Sequence, residues 1–490
     1  MPAHIFKSTL VAMTLAATAL PALAQQLSPE AIERDVEIAR GAFADIHPGY
    51  DRFTPVSEIE AGWDAILDNA DRQGGLEVGD LYLGLSETLT RIRCDHTKAE
   101  LPKALKDARK TDPVYLPLRW TVAEGRAIIE VAPAGFDLNR GDEILSIDGR
   151  TIAELRDALH PYIPVDGYND HVKDALMSTS LEHMGGAVDH FGALIWDVPA
   201  TATLEVASAN GITRTVSLPR VGYDEWKAIA IRQGARNFKD AVSVERVGER
   251  GAVLRVDTFV NYREPVEPDT LYRSVFEMLR AEGRDQLILD LRQNGGGSTD
   301  ASQGLFAYFI DEKRRMKTAE IVRTLDHSAY TDYISTWEKR AINPPRIGFK
   351  KTASGEYALR GMVSDATNKI KPAKFNYEGE LFILTSRNNS SGSTNLISAI
   401  QAARPVTLVG EKTGGNPLGP TAGTIFFLKL PESGITLRLP VFRFKNNVGD
   451  LPEGQGLVPD IAAPVTVQSL REGRDPAMEA ALFEIGFTSQ

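Results

Sequence analysis

Two short apolar runs, at residues 381–384 (Leu-Phe-Ile-Leu) and 406–409, bracket a hydroxyl-crowded turn and a stretch with helical spacing. No other feature of the chain constrains its fold as strongly. Each run reads as a buried strand, and Leu396, Ile397, Ile400 and Ala403 between them recur at helical intervals. Strand, tight turn, helix and strand make a parallel crossover unit. In such units ligands gather where a strand ends and a helix begins. The turn at residues 386–393 offers serines at that place. A hydroxyl there stands clear of the sheet, and the free N–H groups of the helix start favour developing negative charge. Ser391 is the leading candidate nucleophile, with Ser390 in reserve. The local alternative is that Ser, Asn and Gly crowd this turn to cap the helix.

A second stretch has the same logic. Residues 287–291 form an apolar strand that runs into Gly295, Gly296 and Gly297, and a helix is expected from about Ser298. Consecutive glycines let the backbone approach a ligand and expose neighbouring N–H groups, as an oxyanion hole requires. Glycine-rich loops also cradle phosphate, but no Gly-Lys-Ser/Thr follows, so a nucleotide loop is disfavoured.

At 490 residues the chain is too long for one ordinary core, so two or three domains are expected. A formal charge of −11 argues against nucleic acid as a general partner. Lys7, the apolar stretch at residues 10–20 and Ala22-Leu23-Ala24 have the form of a signal peptide cleaved after Ala24. The expectation is therefore a secreted, periplasmic protein with no integral membrane span. Cys94 is the only cysteine, which excludes an internal disulfide and reads best as a small apolar filler. No dinucleotide fingerprint or metal-ligand spacing is present, so no cofactor and no metal are expected.

Along the chain, residues 25–112 read as a helical region that starts at Ser28-Pro29 and is broken at His47-Pro48-Gly49. Residues 113–220 turn to short strands, among them the Gly141-Asp142 to Asp148-Gly149 hairpin-like unit. A further helix is expected at residues 169–184. Residues 221–490 alternate strands and helices as an α/β layer. Within that layer, residues 313–317 (Lys-Arg-Arg-Met-Lys) read as a solvated helix face. Residues 311–375 read as an insertion on the outside.

The motifs together resemble the serine peptidases of the tail-specific, or carboxyl-terminal processing, family, including its tricorn-like branch. Leu384-Thr385-Ser386, Ser391 and the Val409 to Gly414 segment (Val-Gly-Glu-Lys-Thr-Gly) fall in register with that family without a gap. Asp290-Leu291-Arg292-Gln293-Asn294 and its three glycines are similar to its second signature, and the unit at 141–149 is similar to a PDZ core. The resemblance implies an α/β catalytic domain of crotonase- or Clp-like βαβ layers, a PDZ-like β-rich module and an N-terminal helical region. By it, Gly296 or Gly297 would pair with Gly392 to hold an oxyanion.

Many members use a lysine base where Asn416 stands here, and Lys412 occupies a variable position of the motif. The tricorn-like branch uses an N-terminal histidine and a late glutamate instead, which His96 and Glu453 match. Asp95 is then expected to stand behind the triad rather than orient the imidazole, because neighbours in sequence seldom face one ring. The implied activity is peptide-bond hydrolysis through an acyl-enzyme on peptide or protein substrates. The oligomeric state is left open. The rivals are an inactive peptide-binding scaffold on the same fold and a small-acyl esterase.

Overall fold

A computed structural model describes residues 25–180, 183–230 and 235–487. The signal-peptide reading of residues 1–24 lies outside the described residues. Among the described residues three large sheets organise the chain, beside a two-stranded pair of Gln26–Leu27 with Leu76–Glu77. The first holds the strands Val242–Val247, Gly251–Val256, Gln286–Asp290, Glu380–Thr385, Thr407–Gly410 and Ile461–Ala462 in that spatial order. All its neighbours are parallel except the first pair.

Parallel strands buried on both faces should be apolar throughout, and Leu287, Ile288, Leu289, Ile383 and Leu384 are all buried. One face of this sheet packs against the helices Pro268–Ala281, Thr299–Phe306 and Ser391–Ala403. The other face meets the C-terminal helix Pro476–Glu484 through Ala481 and its neighbours. Leu396, Ile397 and Ile400 carry no exposed surface. Each contributes about 1.5–3 kcal/mol of burial to fixing the crossover helix. The strand, turn, helix and strand expected at residues 381–409 are all present.

The second sheet is antiparallel, built on Thr421–Lys429 and Thr436–Asn446. Residues 311–375 are not an outside insertion, because they supply the strands Lys317–Val322, Ile334–Ser335, Phe349–Lys351 and Tyr357–Leu359 to this sheet. Nor is the 313–317 run a solvated helix face: Met316 and Lys317 are buried and a strand begins at Lys317. The N-terminal helices Pro29–Ile46, Val56–Gln73 and Val78–Thr90 share one core with Phe426, Leu428, Leu437 and Leu439 of this sheet. Ser28 caps the first helix by accepting from the Ala31 N–H, as its sequence position implies.

The third sheet spans Arg119–Ala123, Arg126–Val131, Glu143–Ile147, Thr201–Ala207 and Thr213–Pro219. The Asp148-Gly149 turn has positive φ at both residues (50° and 78°), the geometry of a tight hairpin. Of the helix expected across residues 169–184, the described residues form only a short 3-10 turn at Asp170–Leu176 and irregular backbone, and residues 181–182 lie outside them. There the Asn169 side chain bridges to the Asp166 carbonyl and the Gly456 N–H rather than pointing to solvent. The short helix Val467–Glu472, which follows the last strand of the first sheet, packs on this third sheet. The Val467 N–H donates to Glu124, and Val467 packs on Ile128.

Candidate active site

The strand Glu380–Thr385 ends in a loop held by one side chain. Asn389 is fully buried, and its amide donates to the carbonyls of Leu291 (2.6 Å) and Asn294 (3.1 Å) and to the Ser393 hydroxyl (3.1 Å). Its Oδ1 accepts from the Ser386 N–H, and its carbonyl accepts from Gly414 and Gly415. One asparagine thereby locks the nucleophile turn, the glycine loop and the loop after Gly410 together. Sequence reasoning passed over it. An asparagine in a turn reads as ordinary turn chemistry, which gives no outward sign of such a role.

At the start of the helix Ser391–Ala403, Ser391 has φ +46°, a conformation few non-glycine residues adopt. Backbone held off its common minima clusters at functional sites, because the surrounding structure must over-determine it. Ser390 stands at the N-cap but makes no capping bond; its hydroxyl donates to Asp95 Oδ2 at 2.7 Å. Helix capping therefore does not account for Ser390. Its hydroxyl ties the nucleophile turn to the segment that carries His96.

The glycine loop lies directly against Ser391. A Cβ added to Gly296 would lie 2.8 Å from the Gly392 nitrogen and 2.9 Å from Ser391 Cβ, so only glycine fits. Gly297 is equally confined, since an added Cβ would lie 2.3 Å from the Phe259 carbonyl carbon. The two glycines are not equivalent donors. The Gly296 N–H is already spent on Asn294 Oδ1 at 2.9 Å, so Gly296 cannot serve as an oxyanion donor. The Gly297 nitrogen lies 3.3 Å from the position a Gly392 Cβ would take. Among the described residues neither the Gly297 nor the Gly392 amide donates to the backbone or a side chain. Two free, adjacent N–H groups beside a hydroxyl are what an oxyanion hole consists of.

His96 arrives from the N-terminal region. Arg93, at φ +57°, turns the chain out of its helix, and Thr97 is fixed by His47, whose Nε2 lies 3.0 Å from the Thr97 hydroxyl. His47 is fully buried, and burial holds its pKa down at about 3, so it stays neutral. The carboxylate beside His96 is Asp95, with Oδ1 2.5 Å from His96 Nδ1. Yet neither atom completes an aligned hydrogen bond, which is the strain of two consecutive residues facing each other. Burial alone would lower the imidazole pKa. The Asp95 charge outweighs it and raises the pKa well above its ordinary value. Asp95 itself is held below the usual carboxylate range. Burial opposes this, while His96 and the Ser390 hydroxyl stabilise its charge.

The expected contact of Glu453 with His96 is absent from the described contacts. Glu453 is exposed and pairs with Arg52 Nε at 2.9 Å. Its segment nonetheless lies close to the histidine loop through a strap of four residues, 166–169. The Gly167 N–H donates to the Arg93 carbonyl, the Tyr168 N–H to that of Gly454, and Asn169 accepts from Gly456. Asp166 completes the strap by accepting from the Asn416 N–H at 2.9 Å. Its pKa is raised to about 7, mainly by burial and then by the Asp95 charge. Asn416, at the place of a dyad lysine, is thus a backbone anchor. Lys412 points away to Gln455 Oε1 at 2.5 Å.

Other positions of these motifs make structural hydrogen bonds. Thr413 accepts from the Leu457 N–H, and Asp460 accepts from the Leu408 N–H. Cys94, Asp95 and His96 present ligand atoms within 4.8 Å of one another, but the Cys94 thiol donates to the Thr421 carbonyl and Asp95 is engaged by Ser390. Both groups are therefore already engaged within the protein.

Residues 250–463 match Peptidase family S41, and residues 112–228 match the PDZ domain family. The fold is similar to that of mature CPAF, with a TM-score of 0.62 at 15% identity over 92% of this chain and 96% of that chain. It is likewise similar to mature CPAF complexed with lactacystin, at 0.60 and 15% over 93% and 97%. The chain therefore carries an S41 peptidase domain joined to a PDZ domain and a helical N-terminal region. It is a serine-type peptidase, a hydrolase.

Proposed function

We propose that the protein is an exported serine endopeptidase, active on peptide or protein substrates, with a Ser391–His96–Glu453 triad. Ser391 attacks the scissile carbonyl and His96 takes its proton. The Gly297 and Gly392 amides receive the oxyanion, and His96 then protonates the leaving amine. The observation that carries this reading is Ser391 itself, in a strained conformation beside two free amides. His96 is tied to the same turn through Asp95 and Ser390.

Asp95 Oδ1 lies 2.5 Å from the buried Nδ1 without an aligned hydrogen bond, so Glu453 takes the orienting role only by displacing it. Glu453 suits that role: its carboxylate is exposed, and an exposed pair with Arg52 stabilises by only about 0–1 kcal/mol. Catalytic hydrogen bonds commonly tighten only when substrate is bound.

The test is covalent labelling of the mature protein by a fluorophosphonate, with mapping of the modified residue, followed by turnover of matched peptide and ester substrates. Labelling at Ser391 with peptide cleavage is expected. No labelling would favour an inactive scaffold, and ester turnover alone would favour an esterase. Export is tested by N-terminal sequencing of the mature protein, expected to begin at Gln25.

A further inference from the structure

Two turns stand side by side at the last strand of the second sheet, Phe349–Lys351, and carry the most exposed large apolar side chains among the described residues. Met362 is 87% and Ile347 84% exposed, and Val363 beside them is 54%. The turns are tied together by the backbone. The Arg360 N–H donates to the Gly348 carbonyl (2.8 Å), Arg360 Nε to the Phe349 carbonyl (3.1 Å), and the Val363 N–H to the Arg360 carbonyl (2.9 Å). A Cβ added to Gly348 would lie 3.8 Å from Val363 Cγ2, which brings the two turns into contact. Phe349, paired in register with Leu359, roots them in the core that the sheet shares with the N-terminal helices. Ile347 and Met362 stand outside that core. Single exposed apolar residues are common, but a cluster of large ones marks an interaction surface.

The charge around this tip narrows what it fits. Between residues 346 and 363 the chain carries Arg346, Lys350, Lys351 and Arg360 against one acid, Glu356, although its formal charge overall is −11. All four cations are exposed, and among the described residues none of them makes an ion pair. Glu356 is already paired with Arg443 at 2.9 Å. Of the acids nearby, Asp326 feels the Arg346 charge but accepts from the Ser328 N–H, and Asp365 accepts from the Asn368 amide. The tip is therefore apolar at its summit and positive around its base.

A second copy that added a strand to the free edge of Phe349–Lys351 would have to cover Lys350 and Lys351, and lysine is the residue that blunts such edges. Ile347 and Met362 project into solvent rather than line a groove, so they offer a folded partner little concave surface. A lipid surface needs neither a strand edge nor a groove. Cations meet its headgroup phosphates, and apolar side chains of any shape enter the acyl boundary.

We propose that the tip formed by residues 345–348 and 360–363 docks the protein on an anionic lipid bilayer. Ile347, Met362 and Val363 enter the headgroup boundary, while Arg346, Lys350 and Arg360 contact lipid phosphates. The attachment is peripheral, since no helix among the described residues is long and apolar enough to cross a membrane. It does not depend on which serine is the nucleophile.

The test is sedimentation of the mature protein with vesicles of phosphatidylcholine, alone or mixed with phosphatidylglycerol. Binding should be at least about tenfold stronger to the anionic vesicles and should weaken as salt is raised. Arg346→Gln and Lys350→Gln should each weaken it about fivefold, from about 1 kcal/mol per cation at such a surface. Ile347→Ser combined with Met362→Ser should weaken it about tenfold or more. These positions are exposed, so the denaturation midpoint and fluorophosphonate labelling should stay as in the wild type.

A second measurement locates the contact. Cys94 is the only cysteine and is buried, so Met362→Cys places one accessible thiol at the tip. An NBD label there should shift to shorter wavelength on anionic vesicles. The same label at Ile212→Cys, exposed on the PDZ domain, should not. No preference for anionic vesicles, binding unchanged in the tip variants, or equal shifts at both labels would overturn the proposal. Binding of polyglutamate in place of vesicles would also overturn it and assign the tip to an acidic polypeptide.

Discussion

The two halves of the active site are built in opposite ways. The half that holds Ser391 is made of backbone: a strained serine, the Gly297 and Gly392 amides, and Asn389 tying the loops together from a fully buried position. It sits at the ends of parallel strands that neighbour each other in one sheet. The half that holds His96 is made of charged side chains from three parts of the chain. His96 and Asp95 come from the N-terminal region and Asp166 from the PDZ domain, while Glu453, from beyond the antiparallel sheet, pairs with Arg52 and its segment reaches them through the 166–169 strap. The first half gains precision from burial and hydrogen bonds that do not titrate. The second is adjustable and responds to pH, because its geometry depends on which charges are present. In the proposed mechanism this pairs a rigid oxyanion cradle with a responsive base, so that substrate or a partner can act on the base alone.

Ser391→Ala breaks the backbone half at its centre. It should remove fluorophosphonate labelling and lower peptide cleavage by at least about four orders of magnitude. Ser390→Ala should keep labelling at Ser391, since it loses only the tie to Asp95. Labelling that moves to Ser390 would reassign the nucleophile.

The charged half is separated from it by a graded series. His96→Ala should cost about three to four orders of magnitude in acylation, Glu453→Gln less, and Asp95→Asn least. A cost for Asp95→Asn greater than for Glu453→Gln would make Asp95 the third member of the triad.

Asn389→Ala tests whether the first half depends on one hydrogen-bonding hub. It strands the buried partners of four bonds and should destabilise the catalytic domain by about 3 kcal/mol or more, read as a lowered denaturation midpoint. A change under about 1 kcal/mol would show that the loops hold without it.

The pH profile sharpens the contrast. His96 can accept the serine proton only when neutral. Burial lowers its pKa and Asp95 raises it further, to well above about 6.5. Reactivity of Ser391 should therefore be lost as pH falls through that raised value. Asp95→Asn should move the midpoint downward, and an unmoved midpoint would detach Asp95 from the base.

The smallest effect is expected for Lys412→Ala. Its ammonium is engaged by Gln455, so activity should fall by less than about threefold. A collapse to the level of Ser391→Ala would restore a serine–lysine mechanism.

Sequence alone determined the backbone half. Strand, turn and helix are encoded by neighbouring residues with a fixed period, and three glycines before a helix announce exposed amides wherever they are placed. The strand, turn and helix around Ser391 and the glycine loop at residues 295–297 were therefore legible without coordinates, while the choice of Ser391 over Ser390 and the pairing of Gly296 or Gly297 with Gly392 came from the family resemblance. The tertiary structure decided which groups remain free. It spent the Gly296 amide on Asn294, turned the Ser390 hydroxyl toward Asp95, and paired Glu453 with Arg52. It also buried Lys317, which the charge run at 313–317 placed on a solvated face. The physical reason is that local patterning fixes backbone conformation. The partner of a polar side chain is set by what packs against it from distant parts of the chain, and no period in the sequence records that.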